Sequence, residues 1–234
     1  MGALPARERI IVALDVPDRA SLTTLLDRLD GRPCFYKVGL ELFIAEGERA
    51  IELVRSRGGR VFLDLKLHDI PETVARAVAS AARIEAELLT VHTSGGYEMM
   101  SRAAEASRGR VKLLGVTVLT SLAEDDLRAE GIGQTIPEMV KARARIAARA
   151  GLSGLVCSPH EIGAARGAAP GLLTVVPGIR PGGPRVSDDQ KRVATAGQAA
   201  ADGADYLVVG RPLRDAAEPA EAFEALVREI EAAG

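Results

Sequence analysis

The chain has 234 residues, 47% of them hydrophobic and 26% charged, which are the proportions of an ordinary globular protein and exclude collagen-like, low-complexity and wholly disordered classes. Thirty Lys and Arg stand against 32 Asp and Glu for a net charge of -2, aromatic residues make up 3%, and Trp is absent, so the sequence offers no basic surface or stacking platform for nucleic acid. Cys34 and Cys157 fit neither a zinc motif nor a disulfide framework, the N-terminus has no apolar signal core, and the apolar runs fall far short of the ~20 residues that span a bilayer; the expectation is a soluble, cytoplasmic protein.

Eight short apolar, β-branched runs occur at 10–15, 35–40, 61–67, 88–93, 112–120, 154–158, 173–179 and 206–211. Seven stretches of helical period lie between them and an eighth follows. The residues closing these runs, from Asp15 to Gly210, recur about every 28 positions, the length of one strand-helix unit. Eight such units predict an α/β fold, a single (β/α)8 TIM barrel domain over residues 1–234, in preference to an open doubly wound sheet, which more often has five or six strands. Pro71, Pro137 and Pro219 each open a helical stretch, at the first-turn position where a missing N–H costs nothing. Segment 121–136 reads as a loop. The Gly- and Pro-rich stretch 180–188 reads as another, placed after strand seven as a lid over the end where barrel ligands enter.

Strands of a parallel barrel are covered on both faces, so a charge within one is expensive unless it is paired. This sequence breaks that rule at strand C-terminal ends: Asp15 after IIVAL, Lys37 in FYKVG, and the run VFLDLKLHDIP. Alternation puts Asp64 and Lys66 on one face of a strand, toward the barrel mouth, with Leu63, Leu65 and Leu67 on the other under the helices. Asp69 follows in the loop. A structural salt bridge is the blander reading, but buried ion pairs stabilise poorly compared with apolar packing, so the cluster points to chemistry. Flanking carboxylates favour the ammonium form of Lys66, giving an amine that donates a proton or stabilises a carbanion rather than a Schiff-base nucleophile. His68, His92 and His160 are assigned structural, interfacial or solvated roles, and the two thiols are read as small core residues.

The run DLKLHDIPETV at 64–74 resembles the signature of the orotidine 5'-phosphate decarboxylase family. ALDV, YKVG, VTVLTS, PGIR, the Gln190 segment and VVGR follow in the family's order over nearly the whole chain. The resemblance implies a barrel homodimer that makes UMP in pyrimidine biosynthesis without metal or organic cofactor. It implies that Asp15 and Lys37 contact the ribose hydroxyls, Asp64 lies against the departing carboxylate, and Lys66 protonates C6. Asp69 is implied to cross the dimer into the neighbouring site, with Ile70 and Thr73 beside it. Thr120 is placed at the pyrimidine edge, Pro177 along the base pocket, Arg180 at the closed loop or nucleotide, and Gln190, Gly210 and Arg211 at the phosphate. The loops after strands seven and eight are also the usual phosphate site of such barrels.

Two rivals remain. A metal-dependent sugar-phosphate decarboxylase or aldolase of the same superfamily shares the D-x-K-x-x-D pattern but has a magnesium-binding Glu where this chain has Lys37, whose ammonium repels a cation. A non-catalytic barrel that only binds nucleotide or phosphate would not need Lys66 beside carboxylates.

Overall fold

The computed structural model describes residues 4–181 and 192–233. In chain order the elements are β1 (Ile10–Ala13), α1 (Arg19–Leu29), β2 (Phe35–Gly39), α2 (Leu40–Glu46), α3 (Glu48–Ser56), β3 (Arg60–Leu67) and α4 (Pro71–Ala81). There follow β4 (Leu88–His92), α5 (Gly96–Ser107), β5 (Lys112–Val116), α6 (Glu124–Ala129), α7 (Ile136–Arg149), β6 (Gly154–Val156) and α8 (Ile162–Ala168). The chain continues through β7 (Leu173–Val176), α9 (Ala196–Ala201), β8 (Tyr206–Val209), α10 (Arg211–Arg214) and α11 (Pro219–Glu231). All neighbouring strands pair in parallel, and β8 closes on β1 through Ile10–Leu207, Ile11–Val208 and Val12–Val209, giving the expected closed barrel β1 to β8.

Alternation along each strand divides the core. Outward residues such as Ile10, Val12, Val38 and Leu63 pack under the helices, while Ile11, Phe35, Phe62, Leu88, Leu114, Val175 and Tyr206 fill the lumen. At the N-terminal end Arg60 holds Glu87 through two hydrogen bonds of 2.7 Å and stacks 4.2 Å above Phe35, which meets Tyr206 edge to face. One step further up the same inward columns, apolar residues give way to polar ones: Phe35 to Lys37, Phe62 to Asp64, Leu88 to Thr90. The floor is sealed by packing and the charges sit above it.

Three details depart from the sequence expectations. The strands end earlier than the apolar runs: Asp15, Thr120, Ser158, Gly178 and Gly210 lie beyond the ladders. The backbone adds a last bond after several strands, Leu14 N–H to the Lys37 carbonyl and Thr117 N–H to that of Val156, before peeling outward to build the mouth. Single helical stretches after strands two and eight each resolve into two helices. Gly47, at φ 58°, is the left-handed residue that ends α2 and lets α3 begin at once. Segment 121–136, expected to be a loop, contains α6, whose first turn is held by Asp126 accepting the Ala123 N–H at 2.7 Å. Pro71, Pro137 and Pro219 open α4, α7 and α11 as expected. Most of the 180–188 stretch, and with it Gln190, lies outside the described residues.

Candidate active site

The polar tops of β1, β2, β3 and β4 form one connected chain of charge. Lys37 Nζ lies 2.9 Å from Asp15 Oδ1 and 3.6 Å from Asp64 Oδ2, and Lys66 Nζ lies 2.9 Å from both oxygens of Asp64. Lys37 and Asp64 are buried, whereas Asp15 and Lys66 open toward the cavity. Burial by itself would push the Lys37 amine down, but the charges of Asp64 and Asp15 outweigh it and hold the amine above its ordinary range. Burial likewise opposes ionisation of Asp64, and Lys37, Lys66 and Thr90 together overcome it and keep the carboxyl below the usual carboxylate range. Lys37 and Asp64 are therefore an ion pair at neutral pH, within a run of side chains that alternates acidic and basic from Asp15 to Lys66.

Lys66 reaches this position through an irregular backbone. The β3–β4 register shifts between Leu63 and Leu67, and Lys66 sits at φ 49°, in the left-handed region. The plain alternation read from sequence places Asp64 correctly, but a bulge, not a regular strand, aims Lys66. Thr90 stitches the bulge: its hydroxyl accepts the Lys66 N–H at 2.8 Å and donates to Asp64 Oδ1 at 2.9 Å. Gly39 is required for a different reason, since a Cβ there would stand 2.9 Å from Lys37 Nζ and 3.1 Å from Asp15 Oδ1.

These groups open into a cavity of 450 Å³ at the C-terminal mouth of the barrel. Asp15, Lys37, Asp64, Lys66, Thr120, Pro177, Arg180, Gly210 and Arg211 all line it, so most of the residues selected from sequence are brought together. Its charge changes along its length, from the carboxylates at the β1 to β3 side to Arg180, Arg211 and Arg214 beyond β7 and β8. Arg214 had no assigned role; its guanidinium donates to the Asp15 carbonyl at 3.0 Å and pairs with Asp215. Neither Thr90, an ordinary strand residue by composition, nor Arg214, one arginine among many, carried a signal in the sequence.

Asp69, Ile70 and Thr73 do not face this cavity. They are exposed on the rim, where Asp69 Oδ1 accepts the N–H of Ile70 at 2.6 Å. The expectation that two carboxylates of the same chain flank Lys66 is therefore corrected: its ion pair among the described residues is to Asp64, because the chain turns outward after Leu67. His68 stacks on His92 with ring centroids 5.3 Å apart. Burial, then the positive charge of Arg143 and the neighbouring His68 and Lys66, push His92 down to about 4, so it is a neutral ring bonded to Ser94. Cys157 is buried and its thiol is pushed up to about 12, by burial first and Glu161 second, while Cys34 is half-buried and also free. His160 is exposed. Among the described residues no helix is long and apolar enough to cross a membrane.

A closed parallel barrel with an alternating Asp–Lys–Asp–Lys chain and an arginine-lined end at its C-terminal mouth is the constellation of a TIM-barrel enzyme. The comparisons with known proteins are narrower. Residues 8–226 match the model of the Orotidine 5'-phosphate decarboxylase / HUMPS family, and the chain belongs to that family. It is 47% identical over 225 residues to orotidine 5'-phosphate decarboxylase of Pseudomonas aeruginosa, covering 94% of this chain and 97% of that one. It is also 47% identical over 243 residues to the enzyme of that name from Moorella thermoacetica, covering 99% and 95%. The crystal structure of orotidine 5'-phosphate decarboxylase from Lactobacillus acidophilus superposes with a TM-score of 0.83 at 35% identity, over 95% of this chain and 99% of that one.

Proposed function

We propose that this chain decarboxylates orotidine 5'-monophosphate to UMP and carbon dioxide, the activity named in its relatives. The observation that carries the reading is Lys66, held by both oxygens of a buried Asp64 at the mouth of a cavity whose other end is lined by Arg180 and Arg211. In this reading the phosphate lies by Gly210, Arg211 and Gln190, the ribose hydroxyls meet Asp15 and Lys37, and the pyrimidine lies between Thr120 and Pro177. The C6 carboxylate then points at Asp64. When the bond to the carboxylate breaks, its electron pair stays on C6 and carbon dioxide leaves; the Lys66 ammonium stabilises that charge and gives C6 its proton, and the amine regains one from solvent after release. A fixed cation already paired in the low-dielectric mouth needs no reorganisation as charge develops, which is the main source of such stabilisation. The phosphate end supplies binding energy remote from the reacting carbon.

The proposed working form is a homodimer in the cytoplasm, built from one barrel domain per chain. Leu40, Ile44, Ile70 and Tyr97 are exposed large apolar residues that follow β2, β3 and β4, the same stretch of chain that carries Asp69, and such exposure suits a second copy. Asp69, turned away from its own Lys66, is proposed to enter the neighbouring cavity, with Ile70 and Thr73 in the same contact.

The metal-dependent rival loses support at Lys37. Its ammonium sits between Asp15 and Asp64, where it neutralises the carboxylates a divalent ion would use. Orotidine 5'-monophosphate followed by its absorbance with purified protein in EDTA tests both points: sustained turnover is expected, whereas loss of activity in chelator favours the metal-dependent reading and absence of product in any buffer favours a binding protein.

A further inference from the structure

Arg192 and Glu161 form an ion pair buried away from the reacting groups. Glu161 lies just beyond β6 and is 4% exposed; Arg192, between the β7 connection and α9, is 8% exposed. Arg192 Nη1 donates to Glu161 Oε1 at 3.2 Å, Nη2 donates to the Leu119 carbonyl at 2.8 Å, and Ser158 Oγ donates to the other Glu161 oxygen. The Arg192 Nε is buried with no hydrogen-bond partner among the described residues. Such a pair is a poor device for stability, because apolar residues of similar size commonly do as well.

Its endpoints suggest another use. Leu119 immediately precedes Thr120, which lines the cavity from the β5 side. On the β7 side, two strands along the barrel, Arg180 N–H bonds to the Ala194 carbonyl at 2.9 Å and Ala194 N–H bonds to that of Gly178 at 3.2 Å, so the backbone two residues beyond Arg192 is locked to the strip carrying Arg180. One planar guanidinium thus crosses from the β7 connection, past Glu161, to the β5 connection. We propose that Arg192 is a positioning residue that fixes the spacing between the Thr120 rim and the Arg180 rim, so that one nucleotide engages both at once. Glu161 orients the guanidinium, and Ser158 orients Glu161.

This rests on the nucleotide reading above and adds a distinct signature. A ligand occupying one rim does not sense their separation, whereas a ligand spanning both does. Arg192→Lys keeps the charge but replaces the planar two-pronged guanidinium with a single-centre ammonium, losing the fixed fork that spans Glu161 and the Leu119 carbonyl. The Arg192→Met/Glu161→Leu double variant removes the pair while leaving no unpaired buried charge.

The experiment measures thermal midpoints, kcat/KM for orotidine 5'-monophosphate, and inhibition by UMP, uridine and inorganic phosphate for wild type and both variants. The expected result is near-wild-type melting, a loss of about 100-fold in kcat/KM and in UMP affinity, and inhibition by uridine or phosphate alone within about threefold of wild type. A folded variant whose kcat/KM stays within about threefold of wild type, or one that loses uridine and phosphate inhibition as steeply as UMP, overturns the proposal. Unfolding of both variants overturns it too, since the pair would then be a determinant of the fold. Wild-type protein that makes no product defeats the functional reading instead, and is recognised before any variant is compared.

Discussion

Lys66 combines the ammonium proposed to act at C6 with a backbone angle that suits glycine. At φ 49° its Cβ crowds the following carbonyl, a strain of about 1 kcal/mol that surrounding hydrogen bonds must hold in place. Two truncations separate the side chain from the backbone. Lys66→Gly and Lys66→Ala both delete the amine, but Lys66→Gly is expected to be more stable than Lys66→Ala by about 1 kcal/mol in urea or thermal unfolding, and an Ala variant as stable as the Gly variant would refute the strain. The charged members of the site were legible in the sequence because Asp15, Lys37, Asp64 and Lys66 interrupt apolar runs where a charge demands a reason. The left-handed angle was not, since nothing about a lysine between two leucines announces it. Gly39 was equally silent: the space it leaves for the Lys37–Asp15 pair becomes visible when the two side chains are in place.

At the level of elements, the site depends on how β3 is fastened to β4. Where the register shifts, the Thr90 hydroxyl accepts the Lys66 N–H and donates to Asp64 Oδ1, which also holds Lys66 Nζ, so one side chain ties the bulge to the ion pair. Thr90→Val keeps the shape and removes the hydroxyl, so it is expected to cost about 1–3 kcal/mol of stability and to lower kcat, while Thr90→Ser restores most of both. Equal stability of the Val variant and wild type would show that the bulge is held by other contacts. Strand existence and order were readable from the apolar runs, but strand ends were not. The runs continue through residues such as Val118 and Ile179, which stay buried after the ladder has stopped, so hydrophobicity overstates the length of the sheet. The division of α2 from α3 depended on Gly47, a stop signal inside one periodic stretch, and α6 depended on Asp126, a start signal inside a segment that reads as a loop.

For the whole molecule, burial and charge are distributed by level along the barrel axis. Phe35, Phe62 and Leu88 close the floor, and Lys37 and Asp64 above the first two line the cavity while Thr90 above the third is buried against Asp64, so the fold carries the site without exposing its core. Asp69, exposed and turned away from its own Lys66, is the residue through which the proposed active unit would exceed one chain. Mixing Asp69→Ala with Lys66→Ala subunits checks this: each homodimer has two defective sites, while a hybrid has one site with both residues intact. Activity is expected to return on mixing toward about one quarter of wild type for statistical exchange. Proven subunit exchange without recovery would remove Asp69 from the neighbouring site. The resemblance of 64–74 to a family motif is what implies a role for Asp69 across a dimer, whereas periodicity alone placed it beside its own Lys66 because periodicity cannot show where a chain turns away.

The central claim is that the Lys66 ammonium acts on charge developing at C6 and not on binding of the nucleotide as a whole. Decarboxylation and UMP affinity measured side by side for wild type and Lys66→Ala test it most directly. The account predicts a fall in kcat of at least about 10³-fold with UMP affinity kept within about tenfold. A Lys66→Ala protein that still turns over within tenfold of wild type, or that loses rate and UMP affinity in equal measure, would contradict it.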